Sequence, residues 1–222
     1  MPIQINTDIP SPNYDVMKEL ASVDFPTIGH FLEIGFIHPG IHRIAGTERI
    51  IGRAVTVRMT APDSALVHKI TEMLTPDDIL VIDTGGDTTH ASTGGVVATA
   101  VAEAGVKGIV IDGVCTDVGT LRELGLSVYA RGTSLLTTKI HGLKQTGAIN
   151  IPVAIGGVAV LPGYIVAGDE NGVLIADPAV LGPVIGLARA ADEREPTTLA
   201  RVRKGEKLPN ISAANKLISA IP

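Results

Sequence analysis

ILVIDTGGDTTHASTGGVVATAVAEAGVKGIVIDGVCTDVGTLRELGLSVYARG, residues 79–132, decides the fold. An apolar, β-branched run from Ile79 to Ile82 breaks into a loop that carries Gly85, Gly86, Asp87, His90, Gly94 and Gly95. Small residues at helical spacing follow from Val96 to Ala104, and Gly105 stops them. A second buried-strand run, Gly108 to Ile111, opens into Asp112-Gly113 and Thr116-Asp117 ahead of another helical segment. Two strand-to-helix turns one βαβ unit apart predict a parallel sheet. In such sheets ligands gather at the carboxyl ends of the strands, so the pocket is expected there.

Upstream, Tyr14 to Val23 has a helical pattern, and Pro26 suits the first turn of a second helix running on through Thr27 to Phe36, with His30 inside it as a structural residue. The loop from Ile37 to Thr47 holds His38, His42 and Arg43 without a metal-ligand spacing. Arg49 to Thr60 alternates from Ala54 onward and predicts a half-buried strand, and Pro62 to Leu74 predicts a helix. Downstream, Ser127 to Ala130 reads as a short strand, and Thr133 to Gly147 as loop with Lys139, His141 and Lys144. From Ile151 short β segments are divided by Gly156-Gly157, Pro162-Gly163 and Asn171-Gly172, which predicts a C-terminal β-meander. Two helices, Pro178 to Glu195 and Thr197 to Lys204, close the pattern, with Gly205 as cap. Residues 1–222 read as a single α/β domain: an arm and helix over 1–25, then a core over 26–205.

Composition narrows the function classes. Charged residues make up 18% of 222 residues and the net charge is −5, which argues against a nucleic-acid surface. An aromatic content of 3% with no Trp removes base-stacking platforms. Apolar runs are too short to span a bilayer, so no membrane partner is expected. The single Cys115 fits a reducing compartment and reads as a small buried side chain. No stretch near residue 1 has the order of a signal peptide, and a cytoplasmic location is expected.

GRAVTV, the Gly-rich loop before a small-residue helix, GVKGIVIDGVCTD, VYARG, IPVAIGGVAVLPG and GDENGVLIADP follow one another as in the proteins related to regulator of ribonuclease activity A. That family also contains 4-hydroxy-4-methyl-2-oxoglutarate and 4-carboxy-4-hydroxy-2-oxoadipate aldolases. The resemblance runs from about Pro26 to Gly205. It implies a swivelling-type α/β/β sandwich with a parallel βαβ portion, assembled as a trimer or a pair of trimers with active sites between subunits. The aldolases it resembles share an acidic residue, twenty intervening positions, then Arg-Asp. Here Thr116-Asp117 stands at the Arg-Asp pair and Gly95 at the acid, while Pro162-Gly163-Tyr164 stands where Pro-Gly-Asp is usual.

The implied chemistry is retro-aldol cleavage or decarboxylation of a small 2-oxo acid through a pyruvate enolate, with Mg²⁺ or Mn²⁺ as Lewis acid. Asp117 is the candidate metal ligand. The resemblance adds a C-terminal glutamate from a neighbouring subunit, Glu195 in preference to Glu193. An arginine would clamp the substrate carboxylate with two prongs, whereas Thr116 offers one neutral hydrogen bond. Amides at Gly94, Gly95 and Val96 supply an anion site at a helix start, and Arg122 is the nearest following basic side chain. Asp87 and His90, in the loop facing Asp117, are candidates for the lost acidic or proton-transfer capacity. Bland readings stand beside these: Asp117 as the N-cap of its own helix, Asp112-Gly113 as a turn, Arg122 and Arg131 as solvated side chains. A competing function is a non-catalytic regulator that binds a ribonuclease. A methyltransferase acting on demethylmenaquinone is disfavoured, since neither a cofactor fingerprint nor an apolar run for a quinone tail is present.

Overall fold

The computed structural model describes residues 3–140 and 147–221. In chain order, β1 (Gln4–Ile5), α1 (Tyr14–Leu20), α2 (Phe25–Ile28) and β2 (His42–Ala45) lead into β3 (Ile50–Met59). The parallel portion is β3, α3 (Ala65–Ile70), β4 (Asp78–Asp83), α4 (Gly95–Glu103), β5 (Gly108–Asp112), β6 (Val114–Cys115), α5 (Val118–Glu123) and β7 (Ser127–Ala130). Then come β8 (Gly132–Thr133), β9 (Gly147–Ile149), β10 (Val153–Ile155), β11 (Val158–Val160), β12 (Ile165–Asp169) and β13 (Gly172–Ala176). The chain ends in α6 (Pro178–Arg203), α7 (Leu208–Ile211) and α8 (Ala214–Ser219).

All six residues of β4 are buried, as expected of an apolar run in the middle of a parallel sheet. The order β1-β9-β3-β4-β5-β7-β2 places β4 between β3 and β5, both parallel to it. One edge of β3 pairs β4 from Arg53 to Arg58. Its other edge is shared, with β12 antiparallel to Ile50–Arg53 and β9 antiparallel to Val57–Met59. β3 is not half-buried as its alternation predicts, because helices cover one face of the sheet and the β10–β11 hairpin covers the other. Thr56 is wholly buried, its hydroxyl donating to the Ile151 carbonyl at 2.7 Å.

Both faces of the sheet are covered. On one, Val55, Val57, Leu80, Ile82, Ile109 and Ile111 pack against α3, α4 and α5. On the other, Ala54, Ile79, Val81, Val110 and Tyr129 meet Val153, Ile155 and Val160 of the β10–β11 hairpin. A third cluster joins α1, α2 and the first half of α6 to Ile165, Ala167 and Leu174 of the β12–β13 hairpin. The result is a mixed α/β fold with a large mixed sheet and C-terminal helices.

Several elements differ from the pattern reading. The expected meander is two separate hairpins: β10–β11 forms its own two-stranded sheet, while β12–β13 joins the main sheet through β3. The helix expected through Phe36 ends at Ile28, because the chain is drawn out beside β13. Ile37 donates to the Val173 carbonyl, and Gly35 accepts from Ile175 with φ of 87°. A Cβ at Gly35 would lie 2.8 Å from the Ile175 carbonyl oxygen, so glycine is required there. The expected loop of residues 37–47 contains β2, antiparallel to β7. The helix expected over 62–74 is α3 followed by a 3₁₀ turn, Thr71–Met73. The two closing helices are one, since Pro183 and Pro196 both lie on the outward side of α6, where water can satisfy the carbonyls they free. His141 and Lys144 lie outside the described residues.

A row of alternating charge crosses the carboxyl ends of the parallel strands: Arg58 opposite Asp83, Asp83 opposite Asp112, and Arg131 just past β7. Arg58 Nη2 lies 2.8 Å from Asp83, and Arg131 pairs with Asp112. The other Asp112 oxygen accepts from the Gly156 amide at 2.7 Å, which fastens the β10–β11 hairpin to the sheet. Asp112 is thus a fastening, and Arg131 is paired rather than simply solvated. Removing a charge-assisted bond of this kind costs about 1.5–3 kcal/mol. Asp112→Ala is therefore expected to speed hydrogen exchange of the Gly156 amide by roughly tenfold or more, with β4 amides unaffected. Unchanged protection at Gly156 would contradict the assignment.

Candidate active site

The loops after β4 and β5 are zipped together. Thr93 bridges Cys115, Ser92 N donates to the Val114 carbonyl, and Thr116 N donates to the Thr93 carbonyl at 2.9 Å. Further out, the Thr84 hydroxyl reaches the carbonyls of Asp112 at 2.6 Å and Asp87 at 2.9 Å. Gly113 leaves room for that contact, since a Cβ there would lie 2.5 Å from Thr84 Cγ2.

This zipper brings two distant positions together. Asp117 Oδ2 accepts from the Gly95 amide at 2.8 Å. Asp117 precedes α5, yet its carboxylate caps nothing in that helix and crosses to the first amide of α4. Its backbone is left-handed, with φ of 54° and ψ of 42°, a conformation that Asp tolerates better than most side chains. A Cβ at Gly94 would sit 2.6 Å from Asp117 Oδ2, so that glycine makes the approach possible. A Cβ at Gly95 would sit 3.5 Å from the same oxygen. Gly95, the position at which the resemblance implies an acid, therefore lies beside Asp117. Reading Asp117 as the cap of its own helix is corrected by this geometry.

The Asp117 side chain is exposed, and so is Val96, at 79%. The amides of Val96 and Val97, in the first turn of α4, have no carbonyl one turn back within the helix. Thr116 is half-buried beside them. Arg122 is exposed on α5, and its side chain makes no hydrogen bond or ion pair among the described residues.

Asp87 and His90 form a pair, with Nδ1 of the ring 2.7 Å from Asp87 Oδ2. The same carboxylate accepts the amides of Thr89 at 2.8 Å and His90 at 3.0 Å. Partial burial pushes the Asp87 carboxyl up, but those two amides and the His90 ring outweigh it and hold it below the usual carboxylate range. The pairing leaves Nε2 as the ring nitrogen open to a reacting group.

Glu195 is not brought to Asp117 within one chain. α6 packs on β12, which pairs the amino end of β3, whereas Asp117 follows the carboxyl end of β5. Glu195 instead lines a cleft of about 650 Å³ with His30, Arg49, Asp169, Asp192 and Arg194. Among the described residues no cluster of three or more His, Cys, Asp or Glu side chains is placed to hold a metal. Cys115 is wholly buried, and burial pushes its thiol up to about 11, as befits an inert core side chain.

The sequence reading passed over Ser92 and Thr93. Both are buried, and both hydroxyls lack a hydrogen-bond partner among the described residues. The signal was a run of hydroxyl residues directly before two glycines and a helix, which resembles ordinary loop composition.

Similarity to known proteins follows the same segment. A protein of Halalkalibacterium halodurans, provisionally named 4-hydroxy-4-methyl-2-oxoglutarate aldolase, is 34% identical over 128 residues. The match covers 58% of this chain and 60% of that protein, so it takes in less than two thirds of that relative's length. The 4-hydroxy-4-methyl-2-oxoglutarate aldolase of Thermus thermophilus is 34% identical over 130 residues, covering 59% of this chain and 77% of that one. RraAS2 of Streptomyces coelicolor, described as an unusual member of the RNase ES inhibitor RraA protein family, has a similar fold with a TM-score of 0.72. Its identity is 23%, over 87% of this chain and 99% of that structure. The family model described as RraA-like, Aldolase/RraA, matches residues 28–175, which take in β3, β4, β5 and both zipped loops; the chain belongs to the RraA-like family.

Proposed function

We propose that this chain is a divalent-metal-dependent lyase that releases pyruvate from a small 2-oxo acid by aldol cleavage or decarboxylation. The observation that carries the reading is the Asp117 carboxylate fixed at the first amide of α4. Aldolase names among its relatives support the class of reaction.

Mg²⁺ or Mn²⁺ fits the donor set as a largely hydrated ion. Asp117 Oδ2 is tied to the Gly95 amide, while Oδ1 makes no hydrogen bond among the described residues and the side chain faces outward. One outward carboxylate suits a cation that takes one or two carboxylates and keeps several waters, not an all-protein cage. When bound, such a cation supplies a Lewis acid for the 2-oxo group of the substrate.

The chain's own residues supply the rest. The Val96 and Val97 amides bind the substrate carboxylate at the positive end of α4. Thr116 donates one neutral hydrogen bond where arginine would give two charged ones, so this site holds its substrate more loosely than the aldolases it resembles. Asp87 holds the His90 ring by Nδ1, and Nε2 accepts the proton of the C4 hydroxyl as the C3–C4 bond breaks. The electron pair passes toward the 2-oxo oxygen, and the proton is then delivered to C3 to give pyruvate.

Pyruvate release is to be measured over a panel of 4-hydroxy-2-oxo acids and oxaloacetate with Mg²⁺ or Mn²⁺. The proposal expects turnover of at least one, abolished by EDTA. No turnover of any would overturn it, and capture of a ribonuclease E-type partner in a pull-down would put the binding function in its place. Asp117→Asn, which keeps an acceptor for the Gly95 amide, is expected to lower kcat/KM about 100-fold, or ~2.7 kcal/mol, with Tm little changed. Thr116→Arg is expected to raise kcat/KM roughly tenfold, chiefly through KM, as a two-pronged clamp returns. A loss of activity in that variant would show that the hydroxyl has its own role.

A further inference from the structure

The turn that closes the β12–β13 hairpin holds a carboxylate that the fold only half uses. Asp169 is 6% exposed, and its Oδ1 accepts from the Asn171 amide at 2.7 Å, which shapes the turn ahead of Gly172. Its Oδ2 makes no hydrogen bond or ion pair among the described residues. The arginines of this region are engaged elsewhere. Arg43 pairs with Glu170 and donates to the Thr47 carbonyl. Arg49 stacks on the Phe25 ring at 3.9 Å and donates to the Val23 carbonyl. A carboxylate so far withdrawn from water, with one oxygen unclaimed, is costly to keep ionised and calls for a cation.

Asp169 stands where two hollows of different character meet. With Pro26 and Asn171 it walls both the cleft of about 650 Å³ and an apolar concavity of about 270 Å³. On the cleft side Asp24, Glu170 and Glu195 join it and outnumber Arg49 and Arg194, so the local field favours positive charge. Asp192 adds little to that field's reach for a ligand, since its two oxygens already accept from the Asp24 amide at 2.9 Å and the Thr27 hydroxyl at 2.6 Å. The concavity is walled by Phe25, Phe36, Ile37, Pro39 and Leu174. Phe36 bridges Leu174 of β13 and is 39% exposed. A hollow of this size and lining suits one ring or a short branched chain rather than a larger ligand.

We propose that Asp169 and this concavity form a second ligand site, for a small organic ammonium compound with an apolar ring or branched alkyl body. The ammonium donates to Asp169 Oδ2 at the junction of the two hollows, and the apolar body lies among Phe25, Phe36 and Leu174. Charge and apolar surface each select: an anion meets the acidic cleft, and an inorganic cation gains nothing from the concavity. Gly168 pairs with Ile50 at the amino end of β3, so the site lies at the opposite end of the parallel strands from Asp117. It does not depend on the lyase reading, because it uses none of Asp117, His90 or Thr116.

The test titrates the full-length ¹⁵N-labelled chain with benzylamine, its neutral counterpart benzyl alcohol, and benzoate. Saturable shifts are expected at the amides of Phe36, Asn171 and Val173, with benzylamine bound roughly tenfold or more tightly than benzyl alcohol and benzoate not bound. Asp169→Asn, which keeps an acceptor for the Asn171 amide, is expected to bring amine and alcohol to equal affinity. Phe36→Ala, at a partly exposed side chain, is expected to weaken both. Three results would overturn the proposal: equal affinity for amine and alcohol in the unaltered chain, an amine preference that survives Asp169→Asn, or shifts confined to amides around Asp117. The comparison within the unaltered chain needs no variant to fold.

Discussion

A carboxylate meeting a helix amide across two loops is the constraint on which this site depends. Asp117 reaches the Gly95 amide only because the loops after β4 and β5 are hydrogen-bonded to each other along Ser92–Thr93 and Val114–Thr116. That ladder exists because β4 and β5 are parallel neighbours whose carboxyl ends open in the same direction. The helix end then adds what the carboxylate lacks. In the proposed reading its amides take the anionic end of a chelating 2-oxo acid and the carboxylate takes the divalent ion. Glycine at 94 is the price of the approach, since any side chain there would displace the carboxylate.

The same edge of the sheet shows how structural and chemical polar groups are kept apart. Arg58, Asp83, Asp112 and Arg131 alternate in sign across neighbouring strands and neutralise one another. The second oxygen of Asp83 accepts from the Gly85 amide at 2.8 Å, and that of Asp112 from the hairpin amide of Gly156 at 2.7 Å, while the Ala154 amide lies 3.4 Å from the Asp83 oxygen that Arg58 holds. Asp117 has no such cationic neighbour among the described residues, and one oxygen is left unclaimed. A carboxylate already paired on both oxygens is spent on the fold, and one tied by a single amide remains open to a ligand.

Much of this was legible in residue order. The β-branched runs at 79–82 and 108–111, each followed by glycine and then helical spacing, fix the parallel core and the edge of the sheet at which the proposed site lies. Counting back from Asp117 selects Gly95, and the two do meet. What escaped the reading was set by long-range pairing. The alternation of β3 looks half-buried because the sequence does not tell that the β10–β11 hairpin covers the face opposite the helices. The stretch through residue 36 looks helical, although the helix ends in a turn after Ile28 and Gly35–Ile37 pair along β13. Pro196 looks like a helix end, although an outward-facing proline is tolerated within α6. The left-handed backbone at Asp117 gives no sequence signal beyond the residue type. Placing Glu195 with Asp117 depended on family resemblance, and within one chain the two stand at opposite ends of the parallel strands.

The central claim is that Asp117 serves a metal-bound oxo acid at the start of α4. The direct measurement is the anomalous scattering of Mn²⁺ in crystals grown with pyruvate. The account predicts a peak about 2.0–2.3 Å from an Asp117 carboxylate oxygen, with pyruvate's carboxylate at the Val96 and Val97 amides. A Mn²⁺ peak elsewhere, with Asp117 still bound only to the Gly95 amide, would contradict it.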